Sequence, residues 1–206
     1  YGNDTFVAVG NNGKIFTSID GGTTWAAQTS GIAVRLNGIT FENNTFMAVG
    51  NQGTILTSAD GITWAEQTSG TTDQLNGVTY GNNVFVAVGN LGTLVTSPDG
   101  IIWTTGASGT TNNLFGVAFG NDTFMVVGTA GKIFTSTNGT TWIPKYPPRA
   151  SFLYKVLFAN NTFVTVGNID QGLGNEGTIF TSSDATNWIE PPSGTTQNLK
   201  GLAYAN

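Results

Sequence analysis

The chain is 206 residues long, carries a net charge of −5, has charged side chains at only 9% of its positions and contains neither cysteine nor histidine. That composition excludes disulfides, thiol chemistry, zinc sites built on Cys or His and histidine-based triads, and seven basic residues leave no stripe to neutralise nucleic-acid phosphates. No run approaches the roughly 18 apolar residues of a membrane span, and the opening YGNDTFVAVG lacks the basic start and apolar centre of a signal peptide, so the chain reads as a mature or excised domain. From its first residues the chain repeats one pattern. The second repeat shows it whole: LNGITF (36–41), NTFMAVG (44–50), GTILTS (53–58) and ITWAEQ (62–67), here called strands A, B, C and D. Each is a short alternating run bounded by turn residues, the signature of antiparallel strands.

Every tryptophan closes one copy of the turn between C and D: SIDGGTTW (18–25), SADGITW (58–64), SPDGIIW (97–103), STNGTTW (136–142) and SSDATNW (182–188). The tryptophans step by 39 residues three times and then by 46, the difference being the stretch NIDQGLGNEG (168–177). Four strands per unit of that length, stated five times, predict an all-β, five-bladed β-propeller of four-stranded antiparallel blades. Strand A of the first blade is missing at the start, whereas LKGLAYAN (199–206) matches strand A of the others. The expected closure is therefore a ring in one domain, 1–206, with one blade split between 199–206 and 1–29 and the others at 36–68, 75–107, 114–144 and 153–190.

The chain resembles the Asp-box β-propellers known from bacterial neuraminidases, whose turn reads Ser/Thr, any, Asp, any, Gly, any, Thr, Trp. Ser18, Asp20 and Trp25 follow it in full; Ser58, Asp60 and Trp64, then Ser97, Asp99 and Trp103, belong to boxes one residue shorter. In Ser136, Asn138 and Trp142 an Asn replaces the Asp, and in Ser182, Asp184 and Trp188 the Gly has become Ala185. The resemblance implies a box between C and D, on the face opposite the active site, and an extracellular or cell-surface location. Asp at such a place holds turn amides, and the Trp rings weld blade to blade.

Catalytic residues are not expected. A sialidase of this resemblance would need an arginine cluster, and the chain has only Arg35 and Arg149; no pair of carboxylates is set for glycoside hydrolysis. Asn168, Asp170 and Glu176 start an EF-hand-like spacing but fail its distal positions, so neither metal nor cofactor is expected. The sequons at 3–5, 43–45, 121–123 and 160–162 repeat one A-to-B turn, and turn chemistry accounts for them.

Departures from the repeat mark a candidate ligand site. The fifth blade alone has the long B-to-C loop 168–177, is reached through KYPPRASF (145–152), and carries Lys155 where the others have Gly38, Gly77, Gly116 and Gly201. Before it stands a variable position, Asn37, Asn76, Phe115, Tyr154 and Lys200. Lys145, Tyr146, Arg149, Tyr154, Lys155, Asp170, Gln171 and Glu176 are accordingly expected to gather on the D-to-A and B-to-C face. The function this supports is a non-catalytic module binding glycan or protein. The alternatives are a self-associating structural subunit of an extracellular assembly and a degenerate sialidase-like hydrolase.

Overall fold

A computed structural model describes residues 1–146, 152–170 and 175–204, with the backbone alone at Asp170 and Asn175. Five antiparallel sheets follow one another along the chain. The first holds β1 (Phe6–Val9), β2 (Ile15–Ser18) and β3 (Ala26–Gln28), the second β4 (Leu36–Glu42), β5 (Thr45–Gly50), β6 (Ile55–Ser58) and β7 (Ala65–Gln67). The third holds β8 (Leu75–Gly81), β9 (Val84–Gly89), β10 (Thr93–Ser97) and β11 (Thr104–Ala107), the fourth β12 (Leu114–Gly120), β13 (Thr123–Gly128), β14 (Ile133–Ser136) and β15 (Ile143–Lys145). The fifth is built from β16 (Phe152–Ala159), β17 (Thr162–Asp170) and β18 (Asn175–Ser182). Its outermost strand shrinks to one bridge, Thr181 with Ile189, because Pro191 and Pro192 follow and have no N–H to continue the ladder.

The A-to-B turns put two successive residues in the left-handed region: Asn43 and Asn44 have φ of 48° and 57°, and Asn160 and Asn161 have 47° and 58°. That is the backbone a two-residue hairpin needs, and it explains the recurring Asn-Asn and Asn-Asp pairs. Sheets pack in succession through alternating faces of strand B. Phe85 turns to Tyr80 and Trp103 of its own sheet and, with them, meets Met47 of the sheet before. Gly100 shows why the box holds a glycine: with φ at +77°, a Cβ there would also lie 2.9 Å from the methyl of Met47.

This packing decides the fate of the tryptophans. Trp103 is 8% exposed, and Trp64, Trp142 and Trp188 are half-buried, but Trp25 is 46% exposed. Among the described residues no sheet covers that side of the first, and the expectation of a core role is not met for Trp25. Phe6 tells the same story: it is 38% exposed, where Phe46, Phe85, Phe124 and Phe163 are at 1% or less.

The expected ring closure is not formed among the described residues. β1 pairs only with β2, and residues 199–204 belong to no strand. Tyr1 already occupies the end of strand A: its ring sits 4.6 Å from Phe6, as Tyr80 sits 4.6 Å from Phe85. The tail instead begins as though opening another unit, since Leu199 N–H donates to Gly167 C=O as Leu36 N–H donates to Gly10 C=O.

Candidate functional site

At the start of each inner strand the ladder to strand B skips one residue: Asn37 between Leu36 and Gly38, Asn76 between Leu75 and Gly77, Phe115 between Leu114 and Gly116, Tyr154 between Leu153 and Lys155. A bulge of this kind frees one side chain from the pleat and re-aims it. The variable position of the sequence is thus the bulge residue of every complete inner strand.

In the second and third sheets the bulge is filled by an amide that bonds twice. Asn37 Nδ2 donates to Asn51 Oδ1 (3.0 Å) and to Leu75 C=O of the next sheet (2.8 Å); Asn76 Nδ2 repeats this with Asn90 Oδ1 (2.9 Å) and Leu114 C=O (2.8 Å). The fourth and fifth sheets replace the amide with rings. Phe115 and Tyr154 lie 5.7 Å apart, Phe152 stacks on Tyr154 at 6.0 Å with planes 8° apart, and Lys200 Nζ stands 5.9 Å from the Tyr154 centroid. Burial pushes the Tyr154 hydroxyl pKa up. In the fourth sheet Thr129 stands where the acceptor Asn would be, so nothing is stranded, but the fifth keeps Asn168, 2% exposed, with an Oδ1 that has no partner.

The expected residues do not all meet there. Tyr154 is central. Lys155 lies beside it on β16 and its carbonyl accepts from Thr165 Oγ1 (2.8 Å), while Tyr146 is exposed with Lys132 Nζ 5.9 Å from its ring. Lys145 departs from expectation: its ammonium donates to Thr186 Oγ1 (3.3 Å), in a cleft with Asn138, Asp184 and Thr135 between the fourth and fifth sheets. The cause is strand alternation, which puts Lys145 on the same side of β15 as Ile143, facing the next box. The stretch expected as a loop is partly ladder, with Asn168, Ile169 and Asp170 of β17 facing Gly177, Glu176 and Asn175 of β18. Asp170 and Glu176 therefore stand on a hairpin that prolongs strands B and C; Arg149 and Gln171 lie outside the described residues. Phe115, Phe152, Asn168 and Lys200 were missed as site residues. The signal for two of them was present in the sequence, since Phe115 and Lys200 occupy the variable position.

Each box carboxylate is bound by its own turn. Asp60 Oδ1 accepts from the N–H groups of Ile62 and Thr63 (both 2.8 Å) and from Ser58 Oγ (2.9 Å), and Trp64 Nε1 donates to Gly61 C=O (2.9 Å). The Thr63 and Ile62 amides, with Ser58, hold the Asp60 pKa down to about 2. Asp20 is held at about 2 by the hydroxyl and then the N–H of Thr24, and Asp99 is lowered by the amides of Ile102 and Ile101. The Asn187 and Thr186 amides lower Asp184 most of all. Asn138 makes the same bonds with its amide oxygen, to Thr140 N–H (3.0 Å) and Thr141 N–H (2.9 Å), so the turn needs an acceptor and not a charge. The fifth box differs again: Trp188 Nε1 has no acceptor, and Ala185 takes φ of 58° where the other boxes use glycine.

No protein-family model and no curated protein matches the chain. Solved structures do. One, described as YCF48 bound to D1 peptide, superposes with a TM-score of 0.66 at 20% identity over 89% of this chain and 62% of that one. The chain has a β-propeller fold. A second structure, YCF48 from Cyanidioschyzon merolae, gives 0.61 at 18% identity over 92% of this chain and 67% of that one. The chain thus spans about six-tenths of the first of these structures, and at such identities the likeness is one of fold.

Proposed function

We propose that the protein is a non-catalytic binding module that recognises a polypeptide segment through the D-to-A and B-to-C face of its fourth and fifth blades. The observation that carries this reading is the switch at the bulge position from bonded amides, Asn37 and Asn76, to the rings Phe115 and Tyr154 with Phe152 beside them. An amide ladder ties one blade to the next. The half-exposed rings meet across the blades without such hydrogen bonds, and apolar surface with a cation beside it suits an extended peptide whose side chains stack and whose backbone finds polar partners. A solved propeller of similar fold is described with a bound peptide, which supports the same class of ligand. The box carboxylates are read as turn holders, because Oδ1 of Asp60 and of Asp99 each accepts from two turn amides.

The test is a random-peptide display library panned on the whole chain and on a Phe115→Asn/Tyr154→Asn variant, which restores the residues of the second and third blades. The reading predicts peptides that bind the native chain and lose at least tenfold in affinity on the variant while its melting temperature stays within a few degrees. Peptides that bind both equally, or glycans retained in preference to any peptide, would sink it.

A further inference from the structure

The fifth blade keeps a hydrogen-bond acceptor whose donor has been replaced. In the second and third blades the Nδ2 group of Asn37 or Asn76 sits between two oxygens, the Oδ1 of an Asn after strand B and the C=O of the leucine that opens the next blade, at 2.8 to 3.0 Å from each. The fourth blade gives up both side chains at once, with Phe115 at the bulge and Thr129 after strand B. The fifth gives up only the donor: Tyr154 takes the bulge, but Asn168 remains, 2% exposed, and its Oδ1 has no partner. A buried oxygen in that state has lost its water and gained nothing in return, a standing cost to the fold.

The surroundings define what fits there. Leu199 N–H donates to Gly167 C=O (3.3 Å), so Leu199 stands by the fifth blade as Leu36 stands by the first. A second acceptor next to it is also unmatched: Asn198 Oδ1 is buried without a partner, whereas Asn113 Oδ1, at its position, accepts from Leu91 N–H (3.0 Å). The counterpart of Leu91 is Ile169, which the lengthened hairpin draws into the ladder opposite Glu176. Asn168 lies directly across the ladder from Phe152, whose ring stacks on Tyr154, so the unmatched oxygen sits at the foot of the ring cluster. Lys200 Nζ, 5.9 Å from the Tyr154 centroid, works against a second ammonium at the same place.

Given that this mouth takes polypeptide, we infer that it is selective for a carboxamide side chain, with a Gln or Asn of the ligand donating its NH2 group to Asn168 Oδ1. The ligand then supplies from outside what Asn37 and Asn76 supply from within their own blades. A primary amide fits because the protein itself uses that group at two of these positions, and because it carries two N–H donors and no charge. Its methylene stem lies against the rings of Tyr154 and Phe152. Tyr154 controls access: ring contacts replace the two hydrogen bonds that fix Asn37, and a turn of its half-buried side chain opens the path to Asn168. A glutamate, equal in shape to glutamine, offers no N–H and would set its carboxylate against the Asn168 oxygen.

The test pans the whole chain with peptide libraries random but for a central Gln, Asn, Met, Glu or Lys, and repeats the panning with Asn168→Thr, which copies Thr129 of the fourth blade. The native chain should retain the Gln or the Asn library about tenfold more than the Met, Glu and Lys libraries, the return expected for pairing one buried acceptor. Asn168→Thr should retain all the libraries alike. Binding that needs the rings, as judged with Phe115→Asn/Tyr154→Asn, but shows no carboxamide preference, or a preference that Asn168→Thr leaves intact, would overturn the inference and leave the peptide reading standing. Binding indifferent to the rings would overturn both. The comparison of Gln with Met on the native chain needs no variant, so it decides the matter even if Asn168→Thr folds poorly.

Discussion

Truncating two tryptophans that occupy the same place in the repeat separates the energy of the turn from that of blade packing. Trp103 is 8% exposed, lies 6.5 Å from Phe85 and belongs to a cluster with Met47, Val49, Leu75 and Val78 that spans the second and third blades. Trp103→Ala should cost about 3 to 5 kcal/mol, the ordinary loss for a buried aromatic with the cavity it leaves. Trp25 makes the same local bond, from Nε1 to Gly22 C=O at 3.1 Å, but is 46% exposed, and about half of the ring never leaves water. Trp25→Ala should therefore cost about 1 to 2 kcal/mol by burial alone. At about 2 to 4 °C per kcal/mol for a chain of this size, the first variant melts roughly 6 to 20 °C below the native protein and the second about 2 to 8 °C below it. Urea denaturation followed by far-ultraviolet circular dichroism measures both. Equal losses would refute the argument, since they would mean that the box turn itself, and not the preceding blade, sets what a tryptophan contributes.

Other outcomes follow from the same contacts. Gly89→Ala should destabilise severely, by about 3 kcal/mol or more, because its Cβ would lie 2.0 Å from the fixed backbone oxygen of Gln74, while Gly10→Ala, with nothing within 4 Å, should leave the melting point of the single chain unchanged. The box carboxylates make stability acid-sensitive: folded Asp20 and Asp60 sit near 2 against about 3.9 unfolded, so their contribution is present above pH of about 4 and is lost as pH falls towards 2. A melting-temperature profile flat down to pH of about 5 and falling below 4 is expected. Asp60→Asn and Asp99→Asn, which copy Asn138, should flatten the fall without unfolding the turn, and a profile unchanged by them would contradict the assigned bonds. Tyr154→Asn should raise stability by about 1 kcal/mol in urea, by giving buried Asn168 Oδ1 the donor that Asn51 and Asn90 have; a loss of similar size would mean the rings matter more to the fold than to recognition.

The strands and turns were legible because each rests on local chemistry stated several times over. Asn-Asn and Asn-Asp at the A-to-B turns demand left-handed backbone, and the Ser, Asp and Gly of the boxes close their own hydrogen bonds within a few residues. What depended on neighbours was less legible. The exposure of Trp25 cannot be seen in a box that matches its motif more fully than any other, because burial there is supplied by a preceding sheet. Lys145 and Tyr146 are adjacent in sequence, yet alternation along β15 sends the lysine into the cleft beside Thr186 while Tyr146 stands by Lys132. Ring closure, too, depended on more than local chemistry, and among the described residues β1 pairs with β2 alone. The stretch 199–206 matches strand A in sequence, yet 199–204 belong to no strand, and Tyr1 stands 4.6 Å from Phe6 where Tyr80 stands beside Phe85. At the candidate site, the variable bulge position could be picked out by eye, whereas the orphaned acceptor of Asn168 appears only when its counterparts in the other blades are seen bonded.

The central claim, that polypeptide is recognised at the ringed mouth of the last two blades, is tested most directly by photo-crosslinking. A peptide selected on the native chain, carrying a benzophenone at each position in turn, should label segments containing Phe115, Phe152, Tyr154 and Lys200, and mass spectrometry of the digest would place the adducts there. Adducts confined to the box turns around Asp60 and Asp99, or to the outer strands β7 and β11, would contradict it.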